Sequence, residues 1–522
     1  MTAADLLVLS PVLGVAAVAV LVLVADLVLP LAHKRLLGPL AAVSLLVVLG
    51  LSFTLDTNSH AGWEGYVGGA GTLFFQRLFL AAGIVGILGS LAHVEQQTRR
   101  RQGEYYFLLL SSLLGMMLLP GVRDLILLLI AFETMGMPLY VLAAFEKRDG
   151  KDDGRHASEA GIKLFLVGTA STAVSLFGLS LVAGLAGGTS FAALTNIQPT
   201  PLLLIGAMFL LAGIGFKLGV APFHMWVPDT YEGASGPFVA FLAGAPKMAA
   251  VAALCAVFIS ALGGLHADWA PAVGGLALLT LAVGSLLAIP QTNVRRMLAY
   301  SGVAHVGYML IAFSAGTAKG LAMVLFYAVA YVATNMGAFL VAHAVSADSG
   351  DDGTTGLKGL HRRSPGLAFA LLAFLLSLAG IPFVSGFWAK VYVFVAAWQA
   401  GLHGLVAAGA LVSVVALFFY LQLARAAYLD ESTETKPVRV APGLAAAIIA
   451  CLVAVVGVGA WPGPLLEAAS SAAESFYAPG PTADATRPGD DAARSPQAVA
   501  IGPHFPFFPS TTRAGAARLT QE

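Results

Sequence analysis

Six ionisable side chains stand inside stretches of sequence that are otherwise long runs of leucine, alanine, valine and glycine. They are Glu133, Lys163, Lys217, Lys247, His305 and Lys390. An ionised side chain at the centre of a lipid bilayer costs at least about 2.5 kcal/mol on insertion scales, so it is retained for a partner or a function. Four lysines and one glutamate cannot all form ion pairs, and a desolvated lysine exchanges its proton more readily near neutral pH. These residue types therefore indicate a proton relay inside the membrane.

Each residue also has a simpler interpretation that the sequence leaves open. Glu133 and one lysine form a structural ion pair, Lys163 reaches the membrane surface from a position near its helix end, or His305 is a hydrogen-bonded core residue. A weak internal repeat favours the relay for His305. "GVRDLILLLIAFETMGM" at 121–137 and "NVRRMLAYSGVAHVGYM" at 293–309 place Glu133 and His305 at the same offset from a Val-Arg pair.

Two prolines interrupt long apolar stretches that contain two of these lysines. Pro222 follows Lys217 in "LAGIGFKLGVAPFHMWVPD", and Pro382 precedes Lys390 in "LAGIPFVSGFWAKVYVF". Proline removes a backbone donor, and at membrane depth the freed groups need neighbouring protein or a water-filled cavity. An ordinary helix kink is the alternative. Because a lysine lies close to each proline, we expect two broken helices that admit water to the lysines.

The stretch after the first proline, "FHMWVPDTYEGASGPFVAF" at 223–241, is a predicted inner loop without lysine or arginine. It contains His224, Asp229 and Glu232. Carboxylates and an imidazole can collect protons, so the loop is predicted to be a proton entrance with His224 and Asp229 at its mouth. A polar turn held by prolines and glycines is the alternative.

The composition excludes several classes of protein. Of 522 residues, 58% are hydrophobic and 11% are charged, and the mean hydropathy is +0.84, which is typical of a polytopic membrane protein. The formal net charge of zero gives no basic surface for nucleic acid. Cys255 and Cys451 lie far apart in apolar runs. Neither a metal site nor a nucleotide or cofactor motif is predicted on this chain.

The apolar stretches predict an all-α membrane protein with about fourteen transmembrane helices, since each crossing takes about 20 apolar residues. The predicted spans are 5–30, 36–55, 73–95, 104–120, 124–145, 160–186, 201–225, 237–263, 271–290, 295–314, 318–345, 366–398, 403–428 and 441–462. Lysine and arginine concentrate in alternate loops, and cytoplasmic loops are enriched in both residues. This asymmetry predicts that both termini lie on the outer side.

The spans group into a predicted domain organisation. Three N-terminal helices occupy 1–100, a first five-helix repeat (spans 4 to 8) occupies 101–265, and a second (spans 9 to 13) occupies 266–430. A last transmembrane helix is predicted at 431–465. Residues 466–522 are predicted to be a polar, disordered C-terminal tail, because they are rich in proline, alanine, serine and charge.

At these motifs the sequence resembles the antiporter-like membrane subunits of proton-pumping NADH:quinone oxidoreductase, respiratory complex I. The resemblance covers roughly residues 100 to 430 and rests on "AFETMGMPLYVLAAF", "EAGIKLFLVGTASTAVSLFG", "GFKLGVAPFHMWVPDTYEGASGPFVAFLAGAPK", "VRRMLAYSGVAHVGYML" and "AGIPFVSGFWAKVYVF". The segment ending "PDTYEGASGP" is similar to the subunit N branch of that family. The resemblance implies two inverted five-helix repeats with broken helices at spans 7 and 12.

The resemblance also implies a role for each relay residue. Glu133 would pair with Lys217, Lys247 would pass the proton to the centre, His305 would bridge, and Lys390 would deliver the proton outward. FMN, iron-sulfur clusters and quinone would be bound by partner subunits. The implied partners are the other membrane subunits, including sister antiporter-like subunits, in a bacterial plasma membrane.

Together, the residues and the resemblance predict a proton-translocating subunit driven by quinone reduction on other subunits. The redox chemistry of this translocase would lie outside the chain. A sodium/proton antiporter subunit of the multisubunit kind would use the same lysines and is the first alternative. A structural membrane scaffold, whose lysines only pair or reach the membrane surface, is the second.

Overall fold

The computed structural model of the protein describes residues 3–55, 62–63, 65–98, 100–146, 153–195, 197–432 and 436–478. Its regular secondary structure is helical apart from one short hairpin, in which β1 (Gly62–Trp63) pairs antiparallel with β2 (Tyr66–Val67). The helices are α1 Ala3–Val28, α2 Leu37–Ser52, α3 Ala70–Gln97, α4 Gln102–Leu118, α5 Leu125–Ala143, α6 Asp153–Ala186, α7 Phe191–Leu194, α8 Pro201–Leu218, α9 Trp226–Gly233, α10 Gly236–Leu254, α11 His266–Ala288, α12 Val294–Phe313, α13 Ala318–Ser349, α14 Leu360–Arg363, α15 Pro365–Ala379, α16 Ser385–Gln399, α17 His403–Tyr428, α18 Pro442–Ala460 and α19 Gly463–Tyr477.

Within the described residues, twelve helical segments are long and apolar enough to cross a membrane. The segment Gly236–Ala261, which is α10 with a π-helical continuation, is buried along its whole length, and α13 is almost as completely buried. α6 and α17 expose most of their apolar surface instead. A helix that is apolar on all sides suits either the protein core or the lipid. α10 and α13 are therefore the central helices around which the others pack.

Side-chain caps fix where several helices begin. Asp124 accepts hydrogen bonds from the N–H groups of Ile126 and Leu127 and thereby caps α5. Thr200, Asn293 and Thr317 cap α8, α12 and α13 in the same way. Such caps satisfy N–H groups that have no partner within the helix. The capped helices include α5, α8 and α12, which carry Glu133, Lys217 and His305.

The helices before both predicted breaks end at a glycine in the left-handed region. α8 ends at Gly219 (φ 73°), and α15 ends at Gly380 (φ 81°). Glycine adopts this conformation without the steric cost of a Cβ, so it terminates each helix before the proline does. Pro222 and Pro382 lie beyond these ends, in the connections to α9 and α16. Both predicted spans are thus interrupted where the prolines lie, and the last helical turn before each interruption is closed by a glycine rather than by the proline itself.

Protein groups satisfy the backbone freed at the first break. The indole N–H of Trp226 donates to the carbonyl of Phe216 (3.0 Å), and the N–H of Ala221 donates to Oγ1 of Thr280 (3.1 Å). Residues 226–233 form α9, so this part of the predicted inner loop is helical. At the second break the predicted span 366–398 is divided into α15 and α16.

Residues 466–477 are not a disordered tail. They belong to α19, whose buried face consists of Ala469, Ala472, Ala473 and Phe476. Oγ of Ser260 donates to the carbonyl of Phe476 (2.8 Å), and the N–H of Gly71 donates to Oγ of Ser475 (2.9 Å).

The prediction for this part of the tail is wrong because its polar composition hides a helical pattern. Small residues recur at helical spacing, and they let α19 pack closely on α3 and α13. Residues 479–522 of the predicted tail and the predicted inner-loop residues 147–152 lie outside the described residues.

Candidate functional site

Lys217 lies in the last turn of α8, against one face of α5. Its Nζ donates to the hydroxyl of Tyr140 (2.9 Å) and lies 5.3 Å from the centre of the Tyr140 ring. A Cβ at Gly136 would be 2.8 Å from this Nζ, so the missing side chain at Gly136 makes room for the ammonium group. Glu133, Gly136 and Tyr140 follow helical spacing and share this face of α5.

Glu133 has a different partner. Its Oε1 accepts a hydrogen bond from Oγ1 of Thr172 on α6 (2.8 Å). Among the described residues, Glu133 and Lys217 form no ion pair within 4.0 Å. Glu133 and Lys217 therefore do not form the expected pair in this structure, although Nζ of Lys217 lies against the face of α5 that carries Glu133.

Lys247 is completely buried on α10, and its Nζ has no hydrogen-bond partner in the described part of the chain. The Nζ lies 5.5 Å from the centre of the Tyr231 ring. A Cβ at Gly302 would be 3.1 Å from Nζ and 2.9 Å from the hydroxyl of Tyr331. A Cβ at Gly219 would be 4.0 Å from Cε of Lys247. Lys247 thus lies close to the first helix break, at Gly219, and also close to Gly302 of α12 and Tyr331 of α13.

His305 is buried on α12 and both of its ring nitrogens have tyrosine partners. Nδ1 is 2.7 Å from the hydroxyl of Tyr327, and Nε2 is 3.0 Å from the hydroxyl of Tyr420, which is itself 2.5 Å from Oγ of Ser301. A neutral imidazole donates from one nitrogen and accepts at the other, so either tautomer is satisfied here. The arrangement is a hydrogen-bonded chain across α13, α12 and α17 in which a proton can move by exchange of donors and acceptors.

Lys390 is buried on α16 and lies at the open end of α15. Its Nζ donates to the carbonyl of Ala379, the last residue of α15 (3.0 Å), and to Oγ of Ser413 (3.0 Å). It also lies 4.8 Å from the centre of the ring of Tyr308, whose own centre is 6.0 Å from that of His305. The carbonyl end of a helix favours a cation, and the break creates this end inside the apolar core.

Asp229 belongs to a network of ion pairs. Its carboxylate pairs with Lys163 (2.9 Å) and with Arg296 (2.9 Å). Arg296 also pairs with Glu232 (2.7 Å), and Lys163 pairs with Glu159 (2.7 Å). Burial alone raises the pKa of Asp229, but hydrogen bonds and charge from Lys163 and Arg296 hold this pKa below its ordinary value. The network joins α6, α9 and α12.

The network alters the predicted roles of three residues. Lys163 is part of it, with a side chain that is 43% exposed, rather than part of the buried chain. Asp229 is held by two cations from distant segments, which the local sequence does not reveal. His224 is half-buried beside Tyr300, with ring centres 6.3 Å apart, and its Nδ1 has no partner in the described structure.

The structure therefore divides the predicted residues into three groups. Lys217 and Glu133 lie on α8 and α5, Lys247, His305 and Lys390 lie in the buried centre, and Asp229 and Lys163 form the ion-pair network. The tyrosines that contact Lys217, His305 and Lys390 were missed by sequence reasoning. Tyr140 could have been found from its helical spacing to Glu133. Within the described residues, no group of three or more His, Cys, Asp or Glu side chains could hold a metal ion.

Comparison with known proteins identifies the family of the chain. The family model described as NADH:quinone oxidoreductase/Mrp antiporter, transmembrane, matches residues 122–416. The chain belongs to this family. A relative named NADH-quinone oxidoreductase subunit N, from Moorella thermoacetica, is 40% identical over 458 residues, which cover 87% of this chain and 95% of the relative. The family predicted from the sequence motifs is thus confirmed.

Two solved structures have the same fold. A chain of respiratory complex I from Thermus thermophilus, determined with bound aureothin, is 31% identical and has a TM-score of 0.76, covering 88% of this chain and 100% of that chain. A chain of the Mrp complex from a Dietzia species is 21% identical with a TM-score of 0.78, covering 91% of this chain and 98% of that chain. The second similarity is one of fold alone.

Proposed function

We propose that the chain is a proton-translocating membrane subunit of an NADH:quinone oxidoreductase. The observation that carries this proposal is the buried polar centre, in which Lys247, His305 and Lys390 lie within one apolar core and each of them contacts at least one tyrosine. Buried ionisable groups on membrane helices are expensive and are retained for ion pathways. The names of the subunit N relatives supply the class of complex.

The proposed proton route begins at Lys217 and ends at Lys390. Lys217 takes up a proton beside Glu133 and Tyr140, and Lys247 receives it near the end of α8. His305 and its tyrosine partners connect Lys247 with Lys390, which releases the proton toward the outer side. His224 lies near the first break and serves this route as its inner mouth.

Energy for the transfer comes from other subunits. Moving one charge against 100 mV requires about 2.3 kcal/mol. The chain shows no redox motif of its own, so the proposed source is quinone reduction on partner subunits, which would also hold FMN and the iron-sulfur clusters. Sister antiporter-like subunits are the proposed neighbours in a bacterial plasma membrane.

The finer architecture follows from the same proposal. To the twelve apolar segments we add α12 and the divided pair α15 and α16, which gives fourteen crossings with both termini on the outer side. α4 to α10 form the first five-helix repeat and α11 to α17 form the second, inverted relative to the first. The glycine-capped breaks at the ends of α8 and α15 are then equivalent features of the two repeats.

The test measures proton pumping by the complete complex in vesicles. We expect Lys217→Ala and Glu133→Ala to reduce the number of protons moved per electron sharply while the complex still assembles. Lys436→Ala, which changes an exposed lysine at the inner side, is the matched control and should pump normally. Unchanged proton-to-electron ratios in both test variants would refute the proposal.

A sodium/proton antiporter subunit remains the second candidate, since the family model includes Mrp antiporters. It predicts that the chain co-purifies with small antiporter partners and that a sodium gradient drives proton flux in vesicles. Co-purification with quinone oxidoreductase subunits and proton flux independent of sodium favour the first candidate.

A further inference from the structure

A second group of titratable residues lies where three helices end at the predicted inner side. Nε2 of His93, near the end of α3, contacts Oε1 of Glu146, which follows α5. The His93 ring meets the ring of His343 on α13 edge to face, with centres 5.1 Å apart. A Cβ at Gly236, the first residue of α10, would be 2.5 Å from Nδ1 of His343. His343 therefore packs directly on the start of the helix that carries Lys247.

α13 runs from His343 into the buried centre. Tyr327, Tyr331, Asn335, Phe339 and His343 follow one another at four-residue spacing and span about 24 Å along its axis. Consecutive members of this series are neighbours on the helix surface, but each step turns by about 40°, so the series winds around α13. At its inner end His343 meets His93, and at the other end the hydroxyl of Tyr327 contacts His305.

Two side chains in the middle of this series, Tyr331 and Asn335, lie close to Lys247. Nδ2 of Asn335 donates to the hydroxyl of Tyr331 (2.9 Å) and to the carbonyl of Ala243 (3.2 Å). A Cβ at Gly302 would be 2.9 Å from the Tyr331 hydroxyl, 3.1 Å from Nζ of Lys247 and 3.8 Å from Nδ2 of Asn335. These three polar groups thus surround the same small space.

Phe339 is the one apolar residue in this series of five, and Tyr231 of α9 lies beside it. The two ring centres are 5.5 Å apart, and the Tyr231 ring is also 5.5 Å from Nζ of Lys247. The hydroxyl of Tyr231, Oδ1 of Asn335 and Nζ of Lys247 are buried, and within the described residues they have no hydrogen-bond partner. Buried polar groups of this kind are normally satisfied by internal water.

We propose that His93, Glu146 and His343 form a proton-uptake site that supplies Lys247 along α13 and past Tyr231. A proton from the inner solution binds the unprotonated nitrogen of the neutral His343 ring and is then transferred, through internal water beside Tyr231, to the neutral amine of Lys247. His343 returns to its neutral form when Lys247 gains the proton, so the step involves no redox change. The inference rests on the proposed function, because it assumes that Lys247 carries protons.

This site is separate from the predicted entrance at His224 and Asp229. Asp229 is already bound by Lys163 and Arg296, which leaves it little freedom to collect protons. Glu146 contacts His93, and the two side chains are partly exposed, at 23% and 18% respectively. The cluster is thus open to solvent on one side and in contact with α10 and α13 on the other.

The test uses the complete complex in vesicles and compares four variants. Lys247→Ala defines the share of proton flux that depends on this chain. His343→Phe keeps the ring volume but removes the titratable nitrogens, and Tyr231→Phe removes a single oxygen that forms no hydrogen bond within the described structure. The control is His361→Phe at the predicted inner side, where the histidine ring stacks on Tyr428 with centres 5.7 Å apart.

We expect His343→Phe and Tyr231→Phe each to remove at least about half of the flux that Lys247→Ala removes, while His361→Phe pumps normally. Added imidazole, a mobile proton carrier, should restore flux in His343→Phe but not in Lys247→Ala. A loss in His343→Phe that imidazole does not restore overturns the inference, because it indicates a structural role. Normal flux in His343→Phe or in Tyr231→Phe, with a loss in Lys247→Ala, overturns the inference and leaves the proposed function standing. Normal flux in Lys247→Ala overturns both.

Discussion

Gly380→Ala tests whether the glycine at the second helix break sets the position of Lys390. The substitution has two separable costs. A residue with a Cβ at φ 81° costs roughly 1–2 kcal/mol. The new Cβ would also lie 2.7 Å from Cδ of Lys390, in the middle of that side chain rather than at its flexible end. Overpacking of this kind costs roughly 1–3 kcal/mol, so the total is about 2–5 kcal/mol.

The second cost has a functional consequence. If Cδ of Lys390 moves away, Nζ cannot keep its hydrogen bonds to the carbonyl of Ala379 and to Oγ of Ser413, both of which are 3.0 Å long. We therefore expect Gly380→Ala to lower both the thermal midpoint of the purified complex and the number of protons pumped per electron. Quinone reduction, measured separately, reports whether the complex is still assembled.

Gly401→Ala is the matched control. Gly401 has nearly the same backbone conformation (φ 83°), but no atom lies within 4 Å of the position that its Cβ would occupy. This variant should show only the backbone cost of roughly 1–2 kcal/mol and should pump normally. If Gly380→Ala and Gly401→Ala have equal thermal midpoints and pump equally, the proposal that Gly380 fixes the position of Lys390 is wrong.

Two further predictions concern other parts of the fold. Because the pKa of Asp229 lies below its ordinary value, its ion pairs stabilise the protein above the pKa of the unfolded state and lose this effect as pH falls through the folded-state pKa. The thermal midpoint should therefore fall less on acidification in Asp229→Asn than in the unsubstituted complex, and equal falls would contradict this. Phe476→Ala should destabilise the protein by roughly 3–5 kcal/mol because the buried ring packs on Phe75. An unchanged thermal midpoint for Phe476→Ala would show that α19 contributes little.

The membrane helices could be predicted from the sequence because hydropathy acts locally. A stretch of apolar residues can be recognised without knowing its neighbours, and predicted spans such as 104–120 and 403–428 lie close to α4 and α17. The family was identifiable for a similar reason, since its motifs are contiguous. Composition led to the wrong prediction of a disordered tail at 466–477, where α19 has a buried face in spite of its polar residues.

The partners of the charged residues could not be predicted, because they come from distant parts of the chain. Glu133 and Lys217 were expected to pair, yet Glu133 contacts Thr172 and Lys217 contacts Tyr140. A hydrogen bond forms wherever packing brings two groups to the right distance, and sequence spacing fixes that distance only within one helix.

The sequence by itself determined which segments are apolar enough to cross the membrane and which ionisable side chains lie within such segments, since both depend on the local cost of transfer into lipid. Only the tertiary structure decided what each charge meets. It placed Lys390 on the open carbonyl end of α15, left Lys247 without a protein partner in the described structure and brought His343 against the start of α10. These contacts depend on how the helices pack around α10 and α13, which is a property of the whole fold.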